Sequence, residues 1–148
     1  MIIRRAEAKD VDTLAKLAIA AYEVYVSRKG LILPQMSYDY AKIVEEEQIY
    51  VIDEGGTVVS MLTLTPQDLY LLLRNLATFP QYQGRGYGRR FLEFAEGEAR
   101  RLRLPEMRLW TNEKLVENIT YYLKFGFVET HRATTDGYAR VYMSKYLA

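Results

Sequence analysis

Residues Phe79–Ala99 read FPQYQGRGYGRRFLEFAEGEA, with Gly84, Gly86 and Gly88 at every second position, Arg85, Arg89 and Arg90 threaded among them, and an amphipathic run directly behind. Gly88, Phe91, Leu92, Ala95, Ala99 and Leu102 recur at offsets of three and four. That is the period of a helix with one apolar face, suited to packing on a sheet. The glycines leave the backbone uncovered just ahead of helical hydrogen bonding, so several N–H groups can point outward together. A helix start with free donors and a favourable dipole is an anion site. The three arginines add planar forks suited to phosphate oxygens. A phosphorylated ligand is the economical inference; a tight turn with solvated arginines is the alternative. A P-loop would place Lys and then Ser or Thr after its last glycine, where this chain has Arg89 and Arg90. A dinucleotide fingerprint would follow an early strand directly, whereas PQYQ intervenes here after Phe79.

Working outward, LYLLLRNLATF before the loop reads as a strand buried on both faces, as in the middle of a covered sheet. Asn75, polar within that run, marks either a bulge or an outward-facing position. IYVID, EGG and TVVSMLTL form two strands around a tight turn, in which Gly55 and Gly56 can take positive φ, and Pro66 closes the hairpin. Upstream, a strand around Ile2 to Arg5 precedes a helix capped by Asp10. Its apolar positions run from Val11 through Leu14, Leu17, Ala18 and Tyr22 to Tyr25, with Gly30 at its end. A shorter helix fits Tyr38 to Glu46. Downstream, MRLWT is a strand. A helix around Leu115 to Phe125 carries Leu115, Ile119, Tyr122 and Leu123 on one stripe and stops at Gly126. FVETH and YARVYMSKYL pair across TTDG. The order β αα βββ α β α ββ predicts an α/β fold, a mixed sheet with helices on both faces, in one domain over 1–148.

The 148 residues are 49% hydrophobic, enough for a sizeable core. Twenty Lys and Arg stand against nineteen Asp and Glu, so a nucleic-acid partner is not expected and any anion site must be local. The lack of cysteine excludes disulfides and thiolate chemistry, and a single histidine leaves no credible metal site. No apolar run of about 18 residues or secretory signal occurs, so no membrane partner and a cytoplasmic location are expected. Thirteen tyrosines make a phenol-lined pocket plausible.

With Gln83, Gly84, Arg85, Gly86, Tyr87 and Gly88 preceded by NLATFPQY, and with ENITYYLKFGF at Glu117–Phe127, the chain resembles the Gcn5-related N-acetyltransferase superfamily. AAYEVYVSRKG, MSYDYA, TNEKLVEN and DGYARVYM extend the likeness to a bacterial and archaeal branch of single-domain members. The resemblance implies that fold, with a mostly antiparallel sheet of six or seven strands, and acetyl-CoA as co-substrate. It implies that Gln83, Gly84, Arg85, Gly86, Tyr87, Gly88 and Arg89 hold the pyrophosphate. Leu76, Ala77 and Thr78 would pair with the pantetheine arm, much as a peptide adds to a sheet edge.

The reaction implied is transfer of acetyl to a primary amine of a small molecule or peptide, both reactants being held in one slot. Tyr122 matches the family's general acid, a phenol that starts protonated; core packing is its other reading, and Tyr121 its neighbour should the register differ. Asn118, one turn earlier, is a CoA contact or a surface residue. The segment LWT carries no carboxylate where some members have a base. Deprotonation then falls to water, a backbone carbonyl or Glu117, and Trp110 becomes a wall of the acceptor pocket. Tyr22, Tyr25, Arg28, Met36 and Tyr40 cluster along the first two helices, on the family's acceptor side, with Arg28 as a carboxylate contact. Core packing for the tyrosines and solvation for Arg28 stand beside that reading. Tyr138 and Tyr142 share a strand face and line the pocket or a homodimer seam. His131 reads as a surface residue near a turn. A non-catalytic acyl-CoA-binding protein on the same fold is the alternative function.

Overall fold

The structure, a computed structural model, describes residues Met1–Ala148. Its elements are β1 (Ile2–Arg5), α1 (Val11–Lys29), α2 (Tyr40–Glu46), β2 (Gln48–Glu54), β3 (Thr57–Pro66), β4 (Leu71–Thr78), α3 (Tyr87–Arg101), β5 (Glu106–Asn112), α4 (Val116–Phe125), β6 (Val128–Thr135) and β7 (Tyr138–Tyr146). This is the order the sequence predicts. The strands form one seven-stranded sheet ordered β1-β2-β3-β4-β5-β7-β6. Pairing is antiparallel for β1–β2, β2–β3, β5–β7 and β6–β7. β4–β5 is parallel, through Leu71 opposite Met107 and Leu72 opposite Arg108. A parallel neighbour requires a long crossover, and the glycine loop with α3 is that crossover. No helix is long and apolar enough to cross a membrane.

The chain divides into two compact units, Met1–Thr65 with Asn75–Phe94, and Pro66–Arg74 with Ala95–Ala148. In the first, Leu14, Leu17 and Ala18 of α1, Val51 and Ile52 of β2, Met61 and Leu62 of β3, and Phe91 and Leu92 of α3 are completely buried. The β2–β3 turn uses Gly55 and Gly56 at φ 61° and 97°, positions where a side chain is strained. Asp53 Oδ1 accepts the Gly56 N–H at 2.7 Å.

Asp10 does not cap α1 with its side chain, contrary to the sequence reading. A capping residue needs extended backbone, whereas Asp10 ends a 3-10 turn at φ −89°, ψ −11°, which aims its carboxylate away from the α1 amides. That carboxylate instead accepts Arg4 Nη1 at 2.8 Å, Arg4 Nη2 at 3.0 Å and the Glu7 N–H at 2.8 Å. The helix expected from Tyr38 starts at Tyr40, because Asp39 accepts the Lys42 N–H and fixes the boundary.

β4 is likewise not buried on both faces. Leu71, Leu73 and Ala77 are buried while Leu72, Arg74, Leu76 and Thr78 are half-buried, the alternation of a strand with one closed face. α3 begins at Tyr87, so only Gly84 and Gly86 precede it and Gly88 lies in its first turn. Leu102 falls beyond its end and is 38% exposed, where the chain turns away at Arg103 with φ 58°.

In the second unit Met107, Leu109, Val141 and Met143 form the buried side of β5 and β7. α4 buries none of its own residues completely: the stripe expected there places Ile119 and Tyr122 half-buried, Leu115 buried just ahead of the helix, and Leu123 50% exposed. Gly126, at φ 106°, ends α4, and the Phe127 N–H returns to the Tyr122 carbonyl at 3.1 Å. β6 is an exposed edge strand whose Glu129 and Arg132 pair on its surface, charges that discourage edge-to-edge association.

Candidate active site

The first unit gathers the residues from Leu76 to Arg89 that the sequence assigns to the donor. Asn75 stands at φ 56° within β4, a left-handed conformation that asparagine tolerates better than most residues. Tyr22 Oη donates to Asn75 Oδ1 at 3.2 Å and reaches the Leu76 carbonyl at 3.4 Å. Asn75 Nδ2 donates to Tyr40 Oη at 3.1 Å, and Tyr40 donates onward to the Gln35 carbonyl at 2.7 Å. Burial pushes the Tyr40 phenol up to about 12, which keeps it protonated for that bond. Two helices thus clamp a strained residue immediately before Leu76. Past it, Ser60 Oγ contacts both the Ala77 carbonyl and Thr78 Oγ1 at 2.8 Å, and the Phe79 N–H donates to the Val59 carbonyl at 3.0 Å.

A 3-10 turn at Pro80–Tyr82 then leads into the loop. Gln83 Nε2 ties back to the Thr78 carbonyl at 3.2 Å. Gly84 and Gly86 take φ 79° and 86°, and a Cβ placed on either would meet nothing within 4 Å. These glycines therefore serve backbone conformation and an open surface rather than close packing. Arg90 N–H donates to the Gly86 carbonyl at 3.0 Å, and the amides ahead of it lie in the turn where helical donors have no intrahelical acceptor. Tyr87 is turned inward, 7% exposed, its hydroxyl donating to Glu54 Oε2 at 2.7 Å. This anchors the first turn of α3 to β2. Arg85 lies over the Tyr82 ring at 4.9 Å and donates to the Gln81 carbonyl, while Arg89 pairs with Glu93 on the exposed helix face.

The sequence profile of the acetyltransferase (GNAT) domain matches residues 45–129, more than half of the chain and the whole of this loop. The chain belongs to the GNAT family. A curated relative, the S-alkylcysteine N-acetyltransferase of Bacillus subtilis, is 25% identical over 99% of this chain and 89% of its own length. Among solved structures, the PaiA N-acetyltransferase of Thermoplasma acidophilum in complex with coenzyme A superposes with a TM-score of 0.78 at 18% identity, covering 99% of this chain and 98% of that one. The YncA putative acetyltransferase of Salmonella typhimurium with acetyl-CoA gives 0.74 at 20%, covering 100% and 94%. At these identities the two structures establish the GNAT fold.

The remaining candidates occupy two settings. Tyr22 and Tyr40 meet at Asn75. Tyr25 on α1 is half-buried, Met36 sits half-buried in the 3-10 turn Pro34–Ser37, and Arg28 is exposed on the last turn of α1. In the second unit, Tyr122 is half-buried with its ring edge-on to Tyr121 and Phe127, centroids 5.8 and 5.9 Å away. Asn118, one turn earlier and half-buried, donates its N–H to the Leu115 carbonyl at 3.0 Å. Trp110 lies 6.1 Å from Tyr142, with the Arg140 guanidinium over its ring at 5.0 Å. Tyr138 opens β7 opposite Thr135. His131 is exposed, as read from sequence, but it also stacks on Tyr142 at 4.4 Å and 4°.

Sequence reasoning underused Asn75 and missed Glu106, Arg108 and Ser144. β5 begins one residue earlier than MRLWT, at Glu106, while its LWT segment carries no carboxylate, as read from sequence. Glu106 is 5% exposed and holds Arg108 and Ser144; those bonds, Arg108 foremost, keep its carboxyl below the usual range. The signal was the spacing of Glu106 and Arg108, which puts both on one strand face.

Proposed function

We propose that the chain is an acetyl-CoA-dependent N-acetyltransferase that acts on a primary amine of a small molecule or peptide by direct transfer, with Tyr122 as general acid. The observation that carries this is the conformation of the loop: positive φ at Gly84 and Gly86, open space above them, and the donors of the first turn of α3 behind. Such an array suits a pyrophosphate. The CoA and acetyl-CoA held by the two structural relatives, and the N-acetyl transfer named for the curated relative, support the same reading. Leu76, Ala77 and Thr78 would receive the amide-bearing arm, kept in place by the clamp on Asn75.

Acetyl-CoA, when bound, supplies an acetyl group activated as a thioester. The amine nitrogen must arrive neutral, and orientation then contributes much of the acceleration. Tyr122 Oη gives its proton to the departing sulfur and regains one from solvent. Water, a backbone carbonyl or Glu117 accepts the proton lost by the nitrogen, because Glu106 is committed to Arg108 and Ser144.

Release of free CoA across a panel of primary amines tests this reading. Turnover on at least one amine is expected. Tyr122→Phe should lower kcat about 100-fold, the range for loss of a general acid, with KM for acetyl-CoA within about twofold. Tight CoA binding with no turnover on any amine would identify a binding protein instead, and an unchanged kcat would place the acid elsewhere.

A further inference from the structure

A concavity of about 450 Å³ lies wholly within the second unit, on the face where Arg108 stands opposite Ser144 and Trp110 opposite Tyr142. The volume is at the small end of ligand pockets, the size for a ligand of amino-acid dimensions. Rings of Tyr70, Trp110, His131 and Tyr142 contribute to its walls. Its polar part is assembled from three side chains. Ser144 Oγ, on a residue 1% exposed, donates to Glu106 Oε2 at 2.5 Å. Arg108 Nε donates to the same oxygen at 2.7 Å and Nη2 to Oε1 at 3.1 Å. The guanidinium plane rests over the Tyr70 ring at 4.0 Å.

This arrangement consumes the side edge of the guanidinium and one of its faces. The fork is planar and carries five donors, so the edge formed by Nη1 and the second Nη2 hydrogen remains for another acceptor. Glu106 is the only carboxylate among the lining residues, and its charge is already matched by Arg108. Arg140, its guanidinium 5.0 Å from the centre of the Trp110 ring, adds positive charge beside that wall. A fixed donor edge beside aromatic walls recognises an anion with an apolar body.

We propose that this pocket binds a carboxylic acid carrying a ring-sized apolar group, with the carboxylate on the free edge of Arg108 and the apolar group against Trp110 and Tyr142.

Trp110 is the sole tryptophan, so its fluorescence, excited where only indole absorbs, reports on the pocket without turnover. The full chain is titrated with phenylalanine and phenylacetate, and with phenylalaninamide and phenylacetamide as matched compounds lacking the carboxylate. Saturable changes are expected for the two acids, with affinity at least about tenfold weaker for the amides, because a donor edge facing an amide loses a charge-assisted pair. Arg108→Gln should weaken the acids by a similar factor. Arg108→Lys, which keeps the charge and loses the fork, accompanies it with a thermal melt, since removing the ion partner of Glu106 can also unfold the chain. Equal binding of acids and amides by the wild-type protein, or no saturable change with any of the four, overturns the site. Carboxylate-dependent binding in a protein that acetylates no amine would refute the acetyltransferase reading and leave this site standing.

Discussion

The glycine loop of the first unit and the aromatic pocket of the second hold polar atoms ready for a ligand by opposite means. In the proposed donor site the working atoms are the backbone amides of the loop, whose Gly84 and Gly86 stand at φ values of 79° and 86°. Its side chains mainly anchor the loop: Gln83 ties to Thr78 and Tyr87 to Glu54. In the pocket the working atoms belong to side chains, and the backbone contributes only the register that sets Arg108 beside Ser144. A site made of backbone follows from local sequence and is tuned by conformation, whereas a site made of side chains follows from strand pairing and is tuned by charge.

The largest effect should come from separating the two by charge. Glu106 is buried and holds both Arg108 and Ser144, so Glu106→Ala leaves a buried hydroxyl and a cation without their acceptor. It should cost about 2–3 kcal/mol in urea unfolding. The pH dependence has a definite sign. The carboxyl is held below its ordinary range, chiefly by Arg108, so its contribution is complete above the unfolded value of about 4.3 and is lost as pH falls through the lower folded value. The Glu106→Ala variant should therefore lose less stability than wild type on acidification. Parallel losses would detach Glu106 from the pocket's integrity.

A smaller effect tests whether conformation governs the loop side. Asn75→Ala places a Cβ residue without local hydrogen bonding at φ 56° and removes the bonds to Tyr22 and Tyr40. A loss of about 2 kcal/mol is expected. Asn75→Gly removes the same bonds yet accepts the conformation, so it should recover about 1 kcal/mol of that loss. Equal destabilisation by the two variants would mean that the clamp alone matters and the left-handed backbone does not.

The same contrast explains what could be read from sequence. Element order, the β2–β3 and β6–β7 turns and the loop were legible because glycine positions and apolar periods act over a few residues. The errors arose where a local rule met a competitor. Asp10 looked like a helix cap, but Arg4 takes its carboxylate as a bidentate partner. The leucine run of β4 looked buried on both faces, yet the face of Leu72, Arg74, Leu76 and Thr78 is half-open. Glu106 and Arg108 were visible as a pair two residues apart, but Ser144 lies on β7 and Tyr70 just ahead of β4, both distant in the sequence, so the pocket emerges only from the β4–β5 and β5–β7 registers. Tyr142 was expected on one face with Tyr138; its stacking on His131 depends on the β6–β7 pairing, which includes a register shift between Glu129 and His131.

The most direct test of the account is the affinity of Gly86→Val for acetyl-CoA, measured by calorimetry against the wild-type chain. A Cβ at this position meets no neighbouring atom within 4 Å, so the substitution acts chiefly through φ and should leave the fold intact in a thermal melt. Forcing a β-branched residue out of φ 86° re-aims the amides ahead of α3, and the account predicts an affinity loss of about 100-fold, or roughly 2.7 kcal/mol. An unchanged affinity in a folded variant would contradict it.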